Sequence, residues 1–205
     1  MKSASSKLPS RLKKLVLIGA STGGPKAVRT ILQDLPNDLP AAIIVLQHMP
    51  ELFIANFANR LNSVSALTVE IAKNMDRLKP GHVFIAPYGF DLILEETHVP
   101  DEPYRLILIK NTDCTTSPSV DATFKSAAAL LGHHVLGVIL TGMGKDGVKG
   151  CLAIKLSGGR TIAQDEATSA VFGMPKSAIH AEAIDRVLPI HKIPSAIIEE
   201  VTGAS

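Results

Sequence analysis

Cysteine is scarce in this 205-residue chain: Cys114 and Cys151 are the only two. Two thiols cannot make a disulfide scaffold, and their rarity points to a reducing compartment, the cytoplasm. Long apolar runs are missing as well. No stretch approaches the roughly 20 residues that a membrane-spanning helix requires, so no membrane insertion is expected. The first 14 residues contain basic side chains but no apolar core, which excludes a secretory signal. Repeats and low-complexity segments are absent. The seven histidines contain no His-x-x-x-His pair. His133 and His134 are adjacent and cannot share one helical face. With no clustered thiolates either, neither a metal site nor any other cofactor is expected.

What is there is apolar. Hydrophobic residues make up 46% of the 21.7 kDa chain and charged residues 20%. Such a chain can offset its ordering entropy by burial, which excludes disorder and fits one domain with its own core. The net charge of +2 is unevenly spread. Lys2, Lys7, Arg11, Lys13 and Lys14 make residues 1–14 wholly basic, and they read as a flexible tail or linker stub. The other 16 basic residues face 19 acidic ones, so the body over residues 15–205 carries about −3. A nucleic-acid partner would call for a Lys/Arg stripe across the folded part, and none is expected.

Apolar runs and amphipathic stretches alternate along the body. Leu15–Ile18, Ala42–Leu46, Leu67–Ile71, Val83–Ala86, Leu92–Glu95, Leu106–Ile109, Val135–Leu140, Arg160–Ala163 and Arg186–Leu188 read as strands. Helical spacing marks Pro25–Leu35, Leu52–Leu61, Val120–Leu131, Gly147–Leu156, Lys176–Ala183 and Ser195–Val201. Continuous apolar strands between helices specify a mostly parallel, doubly wound sheet covered on both faces. The class is therefore α/β, with a local antiparallel excursion expected among Val83–Ala86, Leu92–Glu95 and Leu106–Ile109.

Ligands of open parallel sheets bind in the loops beyond the carboxyl ends of the strands. Three such loops stand out: Gly19–Gly24, Gln47–Pro50 and Thr141–Gly147. Ser21 sits in a Gly-x-Ser-x-Gly turn between strand and helix, where a hydroxyl is lifted clear as a nucleophile. On this motif alone, a Ser21 or Thr22 cap on the helix stands level with that reading. The glycines also resemble a phosphate loop, but Ser21 occupies the middle glycine position of Gly-x-Gly-x-x-Gly, and Pro25 the lysine position of the other phosphate-loop pattern. His48, on the next strand, has the chemistry to take the serine proton. Asp146 has the chemistry to orient that histidine, or simply to cap the helix after Gly147. Cys151 falls on an expected apolar face with Val148, Leu152 and Leu156. Asp165 and Glu166 reach the same sheet edge, where solvent exposure is their default.

Taken together, Ile18-Gly-Ala-Ser-Thr-Gly-Gly24, Gln47-His-Met-Pro50 and Leu140-Thr-Gly-Met-Gly-Lys-Asp-Gly147 resemble the catalytic motifs of the CheB chemotaxis protein-glutamate methylesterases. The likeness runs on through Ile85-Ala-Pro87, Pro118-Ser-Val-Asp121, Ala163-Gln-Asp-Glu166 and Phe172-Gly-Met-Pro175. It implies a three-layer α/β/α sandwich. It makes Ser21 the nucleophile, His48 the base and Asp146 the orienting acid. The Met143 N–H then contributes to an oxyanion hole, and Thr22 supports the histidine. The implied substrates are methylated glutamates on chemoreceptor cytoplasmic domains, and many members also deamidate receptor glutamines. The family's usual receiver domain does not fit within residues 1–14, so the chain reads as a stand-alone or excised catalytic domain, with a separate receiver or signalling protein left open as partner. Where the family continues Pro-Gly-Phe after His-Met-Pro, this chain has Glu51-Leu52-Phe53. The loop Asn111–Ser117 also lacks the basic residues often found there. Two other classes stay on the table: a nucleotide-binding α/β enzyme, and a non-catalytic signalling module on the same scaffold.

Overall fold

A computed structural model describes residues 8, 12–97, 99, 103–111 and 117–203. Cys114, the centre of the loop before Pro118 and most of the basic tail lie outside the described residues. The first strand, β1 (Lys14–Ala20), leads into α1 (Gly24–Gln33), and β2 (Ala41–Gln47) into α2 (Glu51–Asn62). Two short strands, β3 (Thr68–Ile71) and β4 (His82–Ile85), precede a hairpin of β5 (Phe90–Glu96) and β6 (Tyr104–Lys110). Then follow α3 (Val120–Leu131), β7 (Val135–Ile139), α4 (Val148–Leu156), β8 (Arg160–Gln164), α5 (Met174–His180), β9 (Arg186–Leu188) and α6 (Ile193–Thr202).

Seven strands form one parallel sheet in the order β3-β4-β2-β1-β7-β8-β9. The chain winds outward from β1 through β2 on one side and returns through β7 on the other. The carboxyl ends of β1 and β7 therefore border the switch point, where loops diverge and leave a crevice. Every residue of β2 and β7 is buried, as a strand covered on both faces requires. Alternate β1 side chains feed two cores. Val16 and Ile18 pack with α1, α2 and α6, while Leu15 and Leu17 pack with α3, α4 and the hairpin. The result is the expected α/β/α sandwich.

Helix starts follow local chemistry. Pro occupies the first turn of α1, α5 and α6, where its missing N–H costs nothing. The Ser119 hydroxyl accepts from Ala122 N at the start of α3. Proline in the first turn also explains why α5 begins at Met174 rather than at Lys176.

Two expectations change. Val83–Ala86 does not join the antiparallel excursion. It forms β4, parallel and hydrogen-bonded between β2 and β3. Val83, Phe84 and Ile85 are all buried, the signature of a strand covered on both sides, whereas β5 and β6 alternate and leave one face half open. The inward face of α4 is also rotated. Gly150, Cys151 and Ile154 point into the core, while Leu156 is 88% exposed. The aliphatic content of this helix hid its phase, because nearly every position carries an apolar residue. No helix among the described residues is long and apolar enough to cross a membrane.

Phe124 locks the lower layer. It is fully buried, and a Cβ at Gly137 of β7 or Gly150 of α4 would lie 3.2 or 2.4 Å from its atoms. The ring thus fills slots that two glycines leave open. Phe124→Ala is expected to lower unfolding free energy by about 3–5 kcal/mol in urea titrations, with the far-ultraviolet spectrum retained.

Candidate active site

The register of the central strands sets the site. Ala20 pairs with Gln47, and Gly19 with Ile139, so β1, β2 and β7 end level. The ladder then runs past the strand ends: His48 N–H donates to Ala20 O at 3.0 Å, and Ser21 N–H donates to Thr141 O at 3.0 Å. Gln47 adds a clamp. Its Nε2 donates to both Ser21 O and His48 O, each at 2.9 Å. This buried amide holds the peptide units of the serine and the histidine to one another. Its Oε1 has no partner among the described residues and faces the first turn of α1, where the helix dipole favours an acceptor oxygen.

The turn itself settles the capping alternative. The N-cap of α1 is Gly23, left-handed at φ 82°, and no side chain caps the helix. Ser21 is half-buried, and its hydroxyl is free of hydrogen bonds among the described residues. A Cβ at Gly24 would come within 2.0 Å of Gln47 Oε1, so that glycine is explained by helix–strand packing rather than by a bound phosphate.

His48 and Asp146 meet across 98 residues of sequence: Nε2 lies 3.0 Å from Oδ2. Their side chains are 17% and 11% exposed. With Nε2–H given to the carboxylate, Nδ1 keeps the lone pair of a base. Asp146 does not cap its own helix. The N-cap of α4 is Gly147, with no side-chain bond. Instead Oδ2 also accepts from Val120 N at 2.8 Å, and Oδ1 from Asp121 N at 2.9 Å, which caps α3. Asp121 returns the favour: its Oδ1 accepts from Gly147 N at 3.1 Å and Gly150 N at 2.7 Å, capping α4. The two carboxylates exchange helix ends, and that exchange fixes where Asp146 sits. Burial pushes the Asp146 carboxyl up, but the His48 ring and the Asp121 and Val120 N–H groups outweigh it and hold it below the ordinary carboxylate range.

The other expected residues have settings of their own. Met143 is 68% exposed, and its N–H donates to no protein acceptor among the described residues, so a hydrogen-bond donor is free on the β7 loop. Thr22 lies at the surface, its carbonyl held by Thr141 Oγ1 at 2.9 Å, and no hydrogen bond joins its side chain to His48 among the described residues. Cys151 is buried, and burial drives its thiol far above the usual range, which leaves it inert. Asp165 accepts from Thr168 N and Oγ1 and so ties its own loop. No cluster of three or more metal-ligating side chains occurs among the described residues. Sequence reasoning passed over Gln47, Asp121 and Gln164, although all three stand inside quoted motifs. Gln164 Oε1 accepts from Thr141 N, which steadies the β7 loop. The available signal was a polar residue ending an otherwise apolar strand, since a buried amide must have a structural partner.

A parallel α/β domain with an acid–histidine pair and a serine at neighbouring strand ends carries the residue types that serine hydrolases use. The comparisons make this specific. The CheB methylesterase model matches residues 16–197, and the chain belongs to that family. It is 47% identical to a protein-glutamate methylesterase/protein-glutamine glutaminase of Moorella thermoacetica, over 93% of this chain and 45% of that one. The namesake of Thermotoga maritima is 44% identical over 92% of this chain and 54% of its own. The chain thus spans about half the length of the curated relatives it matches. The crystal structure of the Thermotoga maritima CheB methylesterase catalytic domain superposes with a TM-score of 0.86, at 45% identity, covering 91% of this chain and 97% of that one.

Two outcomes follow from the geometry. Asp146 has its carboxyl below the unfolded value near 3.9, so its stabilisation is present above that pH and lost as pH falls through the folded value. Wild type is expected to exceed Asp146→Asn in urea-unfolding free energy at pH 7, and the gap to close as pH drops below about 4. Gln47→Leu frees two carbonyls and is expected to cost about 1–3 kcal/mol in the same assay.

Proposed function

We propose that this chain is the catalytic domain of a protein-glutamate methylesterase, acting on methylated glutamates of chemoreceptor cytoplasmic domains in chemotaxis adaptation. The observation that carries the reading is the His48–Asp146 pair at the end of β2, locked by backbone bonds to the turn bearing Ser21. Residues 15–205 form the catalytic unit in this proposal, residues 1–14 a linker, and the cytoplasm the site of action.

Ser21 Oγ attacks the glutamyl ester carbonyl while His48 Nδ1 takes its proton. The Asp146 carboxylate stabilises the imidazolium and fixes the ring tautomer. The tetrahedral oxyanion is held by the free Met143 N–H, and Thr22 supports His48 without a hydrogen bond to it. Collapse breaks the bond to the methoxy oxygen, His48 returns the proton, and methanol leaves. Water, deprotonated by His48, then attacks the acyl-serine and restores Ser21 with a free glutamate on the protein. A glutamine side chain passes through the same steps with ammonia as leaving group.

Wild type is expected to release methanol from methylated chemoreceptor membranes, and Ser21→Ala to release none. Asp146→Asn is expected to stay folded and lose on the order of 10³–10⁴-fold in rate. Labelling by a fluorophosphonate at Ser21 checks activation of the hydroxyl directly. Unchanged methanol release by Ser21→Ala would break the mechanism.

A further inference from the structure

A groove of about 870 Å³ runs between α1 and α2 and opens beside the candidate site. Pro25, in the first turn of α1, and Met49, next to His48, mark the end nearest the catalytic pair. Met49, Phe53, Phe57 and Leu61 supply apolar walls, and Lys26, Arg29 and Arg60 stand at its rim. No acidic side chain among the described residues lines it.

Three cations along one rim, with no carboxylate among the lining residues, make a local positive patch. Lys26, Arg29 and Arg60 are exposed and form no ion pair among the described residues. They also gather in a body whose overall charge is negative. Beside them the surface stays apolar: Leu52 is 81% and Phe53 54% exposed on α2, and Met143 is 68% exposed on the far side of Ser21. Apolar groups left in water next to unpaired cations suit a partner with both characters.

We propose that this groove seats the polypeptide segment flanking the glutamyl ester, and that it selects segments rich in free carboxylates. The inference rests on the methylesterase reading, which makes a polypeptide the substrate. The ester itself is uncharged, so the pull comes from unmodified glutamates on either side of it, laid along Arg29 and Arg60. Phe53 and Phe57 take the apolar side chains between them.

The test uses two synthetic peptides that carry one glutamate γ-methyl ester, flanked in one by glutamates and in the other by glutamines. Wild type is expected to release methanol from the glutamate-flanked peptide with kcat/KM about tenfold higher, the difference residing in KM and shrinking with added salt. In the double variant Arg29→Glu/Arg60→Glu the ratio is expected to fall to one or below, with thermal unfolding confirming the fold. Equal wild-type rates on the two peptides would overturn the proposal. So would a preference that survives the double variant, because the recognising cations would then lie elsewhere, or a preference expressed in kcat alone. Ser21-dependent release from either peptide keeps the methylesterase reading alive whatever the ratio. No release from both would sink that reading and the groove's role with it.

Discussion

The Asp146 carboxylate holds the site together. Its two oxygens gather a ring nitrogen from the end of β2 and two backbone N–H groups from the start of α3, elements that share no local sequence with it. A carboxylate in so enclosed a place is unfavourable unless its acceptor capacity is filled, and here three donors fill it. The α3 N-terminus adds the positive end of its dipole. The same group therefore closes a helix end and holds the His48 ring. Asp121 performs the reciprocal closure on α4, so the two helices that flank the β7 loop cannot shift independently.

The sheet supplies the rest of the precision. β1 lies between β2 and β7, and all three end at the same level, which brings a serine, a histidine and an aspartate from distant segments to one edge. Backbone bonds beyond the ladder, reinforced by the Gln47 amide, carry strand-like order into the loops. Sites that must hold reacting groups to within a fraction of an ångström gain from such rigid supports. The proposed chemistry thus rests on the stiff end of the domain, with Leu52, Phe53 and Met143 exposed around it.

Much of this was legible in the sequence because each signal was local. Uninterrupted aliphatic runs mark strands buried on both faces, and proline-started amphipathic stretches mark the helices between them. The boundaries of α3 and β9 match their hydrophobic patterns residue for residue. The three polar loops were legible too, since strand-end loops of a parallel sheet are where ligand chemistry collects. The errors came where pattern underdetermines partner. A four-residue apolar run such as β4 reads the same in a parallel sheet and in an excursion. In α4, apolar residues on nearly every side erased the phase that would have told Leu156 from Ile154.

By itself the sequence determined the α/β class, the strand-end loops and the residue types in them, because periodicity, glycine turns and side-chain chemistry are properties of neighbouring residues. Only the tertiary structure decided that Asp146 caps a foreign helix rather than its own, that Gln47 staples the serine turn to the histidine, and that Lys26, Arg29 and Arg60 gather along one groove. Those facts depend on which segments the sheet order makes adjacent. Hydrogen bonds and ion pairs reach only about 3 to 4 Å, so nothing along a chain can announce them before the strands have taken their places.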